Sequence, residues 1–483
     1  MNLDPSQNNP NSNVIPLKPF HRQPVLSNQP NTDSTKRDFN GPISRQMWTR
    51  VSSLGSTYPD SFDWAVYDRL YEKFRGKVKN DNVVFGTTFR LVNHLSGCSK
   101  CHYSFELDTY GRGCVHDCGY CYAKDSLTIR GYWNKPIPFP VDLSEIRRVF
   151  YQVFETDKPS RWREILEKRV PLRIGSMSDS FMWMEKRIGV TRELLKILKF
   201  YNYPNVIFTR SDLIATDEYI SLLDPSLTTV QFSISSDNED LTAAVEPGAP
   251  GVERRLKALR KLADAGIWTA ARINPLFPTY PDGYFTDEKS IIERFGSISN
   301  VPKLGLLDIS QAHLFLDQLK HAGVKTVLVG FVRLSHFAIK NLTEATGVPI
   351  RSFFRKDIPQ GAKDMHYSDS EINYYYKVLH SKASKLGLRF STCYIGNGIK
   401  DYYQHQDLWT NKSDCCDVLS NVQSFKTTAQ AISWTTREKY SPNKGEVIKA
   451  QEIEKDLDHK HLLASRKDTS THPFQASLSY LDE

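Results

Sequence analysis

The stretch Phe105-Glu106-Leu107-Asp108-Thr109-Tyr110-Gly111-Arg112-Gly113-Cys114-Val115-His116-Asp117-Cys118-Gly119-Tyr120-Cys121 joins a short β-type run to three cysteines spaced CxxxCxxC. Cys98-Ser99-Lys100-Cys101 lies just upstream, so five of the eight cysteines in 483 residues fall between Cys98 and Cys121. The density is far below that of a disulfide scaffold, and the clustering points to metal ligation in a reducing compartment. Two ligand sets compete. Cys98, Cys101, Cys118 and Cys121, with sixteen residues between the pairs, fit a four-thiolate zinc ribbon. Cys114, Cys118 and Cys121 instead put three thiolates on one loop, and three thiolates on a four-iron cluster leave one iron open to a substrate or cosubstrate.

The surroundings of the loop discriminate between them. A zinc knuckle sits in a small hairpin, whereas this loop opens a long alternation of β-rich runs and amphipathic segments. Strands are expected at residues 104–109, 172–175, 205–210, 229–235, 268–274 and 325–332, and helices at 143–154, 191–201, 252–265 and 310–322. The helix at 252–265 is the clearest. Val252, Leu256, Leu259 and Leu262 form one stripe, Glu253, Arg254, Arg255, Lys257, Arg260 and Lys261 are expected to face away, and Gly266 supplies the stop. Strands separated by helices pair in parallel, which gives an α/β fold, either a doubly wound sheet or a barrel. Both place a site at the carboxyl ends of the strands. Periodicity alone does not separate them.

Further out, residues 1–40 hold six Pro and eight Asn without apolar periodicity and are expected to form a disordered arm. Residues 41–102 form an aromatic lead-in carrying the CxxC, residues 103–335 the core, and residues 336–483 a C-terminal extension with a further strand at 388–392. The composition, 40% hydrophobic and 24% charged, is that of a globular chain of two or three domains. No run of about 18 apolar residues exists to span a membrane, and the start lacks a basic-then-apolar signal, so a cytoplasmic protein is expected. Lys plus Arg at 63 against Asp plus Glu at 55 gives +8, which permits a phosphate-bearing partner without requiring one.

CxxxCxxC with an aromatic residue before the last cysteine resembles the radical S-adenosylmethionine (radical SAM) signature. The wider string Gly113 to Ala123 is similar to the spore photoproduct lyase and DNA repair photolyase-like branch of that superfamily. Ile174-Gly175-Ser176-Met177-Ser178-Asp179 followed by Glu185, and Glu246-Pro247-Gly248-Ala249-Pro250 followed by Arg254-Arg255-Leu256, also resemble that branch. The resemblance implies a partial (β/α)6 barrel of TIM type in which Cys114, Cys118 and Cys121 bind a [4Fe-4S] cluster. Its open iron chelates S-adenosylmethionine, and one electron from a donor such as flavodoxin or ferredoxin yields a 5′-deoxyadenosyl radical. It further implies Tyr120 near the adenine, Ser176 and Ser178 near the methionine amino group, Ser233 or Ser235 near the ribose, and Arg272 as a carboxylate or substrate clamp. The branch suggests DNA or RNA as substrate and lyase-type chemistry. A peptide or small metabolite is the second reading, and a zinc-ribbon nucleic-acid-binding protein the third. The branch's later cysteine has no counterpart here between Cys121 and Cys393, and Met182-Trp183 replaces its Gln-Pro.

Asp179 and Glu185 read more simply as helix caps than as substrate ligands. Cys393 and Cys415 or Cys416 are candidates to join Cys98 and Cys101 in an auxiliary iron-sulfur or zinc site. The two ligand sets make opposite predictions for the Cys98→Ala/Cys101→Ala double variant. The three-cysteine loop predicts that cluster iron is retained, the ribbon predicts loss of the single metal, and metal analysis after anaerobic purification reads the difference.

Overall fold

The computed structural model describes residues 64, 67–68, 89–91, 103–111, 113–124, 138–279, 289, 292, 307–309, 311–346, 350–354, 365, 367–393, 405–423 and 425. The arm at 1–40, most of the lead-in with Cys98 and Cys101, and the tail beyond 425 lie outside the described residues.

Residues on a strand alternate between the two faces of a sheet, and here the two faces differ sharply in chemistry. The strands of the main sheet are β1 (Arg90–Leu91), β2 (Phe105–Leu107), β3 (Leu172–Ile174), β4 (Asn205–Thr209), β5 (Thr228–Ser233), β6 (Trp268–Leu276), β7 (Thr326–Phe331) and β8 (Arg389–Thr392). Leu172, Ile174, Ile207, Val230, Phe232, Ala271, Ile273, Val327 and Val329 pack into the same apolar cluster as the helices. Their neighbours along the strands, Glu106, Arg173, Phe208, Gln231, Ser233, Arg272 and Ser391, point to the other face.

The sheet order is β1 to β8 without a reversal. β1 pairs antiparallel with β2, and β2 through β8 are all parallel. Helices α1 (Leu143–Phe154), α2 (Val190–Phe200), α3 (Glu239–Val245), α4 (Val252–Asp264), α5 (Ala312–His321), α6 (His336–Thr346) and α7 (Asp369–Lys385) lie between the strands. A doubly wound sheet has a point where strand order reverses, and this one has none. The connectivity is that of an open (β/α) barrel, with β8 adding a seventh parallel strand to the six expected.

Local chemistry sets the boundaries of the elements. α4 ends where Gly266 takes φ +79, with Gly266 N donating to Ala263 O and Ile267 N to Leu262 O. α7 begins with a capping box between Ser368 and Glu371. The pattern of α4 departs from expectation at Arg255, which is 1% exposed and belongs to the buried face, and at Leu256, which is only partly buried.

Residues 405–425 close the amino-terminal side of the sheet. Trp409, Cys415, Cys416, Val418 and Val422 pack with Tyr103, Val206 and Leu328. Asp417 accepts from Arg389 Nε at 2.6 Å and from Thr326 Oγ1 at 2.5 Å, and Gln231 Nε2 donates to Cys416 O at 3.2 Å. Among the described residues no helix is long and apolar enough to cross a membrane.

Asp414 anchors this closure, accepting from Tyr103 Oη at 2.8 Å and from the backbone N of Leu419 and Cys416. Burial pushes its carboxyl up to about 6. A carboxyl pKa raised by folding contributes stability that is present at low pH and lost as pH rises through the folded value. Between pH 4 and pH 7.5 the wild type should therefore lose about 2 kcal/mol relative to Asp414→Asn in urea unfolding. Parallel pH profiles of the two proteins would contradict this.

Candidate active site

The cysteine loop leaves the carboxyl end of β2 and is held by backbone and side-chain contacts from four directions. Gly119 N donates to Val245 O at 2.8 Å, and Gly248 N to His116 O at 3.0 Å. His116 Nδ1 lies 2.8 Å from Gly248 O, and its Nε2 lies 3.2 Å from Asp179 Oδ2. Tyr122 Oη donates to Ser176 O at 2.8 Å, and Val115 N meets Met182 Sδ at 3.1 Å. Gly248 permits this closeness, since a Cβ there would sit 1.9 Å from Val115 O and 2.7 Å from His116 Cα.

Asp179 ties the loop to the sheet. It is 8% exposed and accepts from Phe181 N, Thr209 Oγ1 and Arg210 N, each at 2.8 Å. Its carboxyl is held below the usual range: burial acts against ionisation, but His116 and the backbone donors outweigh it. One strand earlier, Asp108 accepts from Ser176 N at 2.6 Å and Met177 N at 3.1 Å.

Cys118 is buried and Cys114 and Cys121 are partly so. Burial pushes all three thiols up, and for Cys118 the Arg210 guanidinium is the main opposing influence. Arg210 Nη1 lies 3.1 Å from Cys118 Sγ, 2.7 Å from Tyr120 Oη and 2.8 Å from Glu246 Oε1. Tyr120 Oη donates to the same Glu246 oxygen, while Arg255 Nη2 pairs with the other. Arg255 Nε donates to Pro250 O at 2.7 Å.

Cys114, Cys118 and Cys121 are the side chains of this loop that would hold a thiolate-bound cofactor. Among the described residues no three His, Cys, Asp or Glu side chains converge as one ion would require. The loop presents three thiols at the carboxyl ends of the strands with a guanidinium against one of them, which suits thiolates bound to several irons. The ribbon set cannot be placed, because Cys98 and Cys101 lie outside the described residues.

The other expected site residues divide between the rim and the interior. Ser176 is partly exposed beside Tyr122, and Ser233 is partly exposed on the face opposite the helices. Ser178 is buried with Oγ donating to Tyr110 O at 2.8 Å, and Ser235 is buried at 4% exposure. Tyr120, 7% exposed, has its hydroxyl committed to Glu246 and Arg210. Among the described residues, no hydrogen bond or ion pair joins Arg272 to the cysteine loop. Arg272 donates to Gln231 Oε1 at 2.7 Å, lies 3.8 Å from Cys393 Sγ, and sits 4.6 Å over the Phe208 ring. Glu185 caps α2 as expected, accepting from Arg192 N at 3.0 Å.

Three residues with direct bearing on the loop were not assigned roles from the sequence: Arg210, Glu246 and Arg255. Arg210 closes an apolar strand and Glu246 opens a Pro-Gly turn, so each carried a weak signal as a charge beside a rigid element. Arg255 was hidden in a run of basic residues.

The sheet is parallel from β2 to β8, and the loop that carries the three thiols follows β2. Residues 109–288 match the family model of the radical SAM superfamily. An uncharacterized protein of Methanocaldococcus jannaschii is 26% identical over 174 residues, covering 35% of this chain and 60% of that protein. An uncharacterized protein of Acidianus two-tailed virus is 25% identical over 188 residues, covering 38% and 58%. The chain thus spans about three-fifths of the length of these two curated relatives. Among solved structures, a spore photoproduct lyase mutant with a dinucleoside spore photoproduct aligns at TM-score 0.43 and 15% identity, over 61% of this chain and 78% of that one. Streptococcus suis SuiB bound to S-adenosylmethionine aligns at 0.32 and 11%, over 74% and 61%. Likenesses at these scores carry no statement about substrate.

Gly248→Ala tests how the loop is held. The added methyl must displace backbone, so stability in urea should fall by about 1–3 kcal/mol and iron loading should drop with it. Wild-type stability and iron content would contradict the packing described.

Proposed function

We propose that this protein is a radical SAM enzyme in which Cys114, Cys118 and Cys121 hold a [4Fe-4S] cluster with one open iron. The observation that carries the reading is the placement of the three thiols at the strand carboxyl ends, with Arg210 against Cys118. When bound, the cluster supplies one electron that cleaves S-adenosylmethionine to a 5′-deoxyadenosyl radical able to take hydrogen from a substrate.

The chain's own residues provide position and polarity. The loop is fixed by Asp179, Gly248 and Val245, so the thiols keep their spacing without rearrangement. Ser176 and Ser233, on the rim, are the polar side chains best placed for the cosubstrate, with Ser178 and Ser235 buried behind them. Tyr120 offers its ring, since its hydroxyl is taken. Arg272 serves a substrate or carboxylate from the polar face of the sheet, next to Phe208 and Gln231. A flavodoxin- or ferredoxin-like protein supplies the electron.

For the substrate we put nucleic acid first, from the resemblance of the cysteine string to the lyase branch and from the +8 charge. The exposed basic residues of α4 add little to this. Arg254, Lys257 and Lys261 are paired with Asp212, Glu253 and Asp217.

The test is anaerobic reconstitution with iron and sulfide, followed by reduction and assay of 5′-deoxyadenosine with and without an oligonucleotide. The expected result is four irons per chain, release of 5′-deoxyadenosine, and loss of both in Cys118→Ala. A colourless protein with one zinc would overturn the enzyme reading. Release of 5′-deoxyadenosine that no oligonucleotide changes would move the substrate to a peptide or metabolite.

A further inference from the structure

We infer that Arg210 is a positioning residue that raises the electron affinity of the cofactor site by holding a positive charge against Cys118 Sγ. The inference rests on the proposal that Cys118 binds a cluster, and it adds a residue to which the sequence assigned no role.

Arg210 is fixed at both ends. Its backbone N is bound by Asp179 Oδ2 at 2.8 Å immediately after β4. Its Nη1 reaches Cys118 Sγ at 3.1 Å while contacting Glu246 Oε1 at 2.8 Å. Glu246 is 3% exposed and is shared with Arg255, itself 1% exposed. Two guanidiniums share the Glu246 carboxylate, and beyond it Arg210 Nη1 faces Cys118 Sγ and Tyr120 Oη. The other nearby carboxylate, Asp179, holds the backbone N of Arg210 and accepts from Phe181 N and Thr209 Oγ1. The sulfur therefore receives an N–H donor from a guanidinium fixed against it in a site largely shielded from water.

Reduction adds one electron and moves no atoms, so the reduced cluster is more negative by one charge. A fixed cation and an N–H···S contact favour that state, and hydrogen bonds to sulfur are an established control on iron-sulfur potentials. The effect is strengthened by the low local dielectric. Glu246 acts in opposition, because its carboxylate cancels part of the field that Arg210 directs at the sulfur.

Two variants test the inference by sign. At a fixed solution potential, Arg210→Gln should lower the ratio of reduced to oxidised cluster about tenfold, a fall of about 59 mV for a one-electron couple. Glu246→Gln should raise the ratio, since the carboxylate that both guanidiniums share is then neutral. General loosening of the loop does not move two variants in opposite directions. Iron and sulfide content is measured alongside: a wild type without a cluster refutes the proposed function, whereas full loading with ratios within about twofold of one another overturns the role of Arg210. If Arg210→Gln does not load, Glu246→Gln decides alone, and an unchanged or lowered ratio overturns the inference.

Discussion

The arrangement around the cysteine loop depends on one buried carboxylate, Glu246, gripped by Arg210 just after β4 and Arg255 from α4. Removing one partner of such a group costs about 3–5 kcal/mol because the remaining charge is left in a dry site. Glu246 is the last residue before the Pro-Gly turn that leads into α4, so the clamp fixes that turn as well as the charge. The turn in turn presents Gly248, whose missing side chain lets the backbone of the cysteine loop lie against it. Sheet, helix and loop thus share a single electrostatic joint, and Tyr120 and Cys118 both touch it.

The same joint explains the division of labour across the fold. The helix-covered face of the sheet is apolar and carries the burial. The other face bears Glu106, Arg173, Gln231, Arg272 and Ser391, a polar lining interrupted by the smaller apolar cluster of Val206, Phe208 and Leu328. At its amino end this lining is closed by residues 405–425, through Asp417 on Arg389 and Asp414 on Tyr103. At its carboxyl end it meets the cysteine loop.

Much of the fold was legible in the sequence because apolar alternation and helical stripes are local signals. The six core strands and the four long helices named from periodicity sit where expected, to within a few residues. Whether they formed a barrel or a doubly wound sheet was not legible, since both have the same local pattern and differ only in strand order. Arg255 shows a second limit: in a run of basic residues nothing local distinguishes the one that turns inward to a carboxylate nine residues earlier. The thiols were visible through their spacing, but the groups that polarise them come from just after β4 and from the turn before α4, about 90 and 130 residues later in the chain, and are joined to them only by folding.

The central claim is that three thiols on this loop hold four irons with one left open. Mössbauer spectroscopy of the chain reconstituted with 57Fe, recorded with and without S-adenosylmethionine, tests it most directly. The account predicts a four-iron spectrum in which one quarter of the signal changes on adding the cosubstrate and three quarters do not. A spectrum that does not respond to S-adenosylmethionine, or the absence of a four-iron signal, would contradict it.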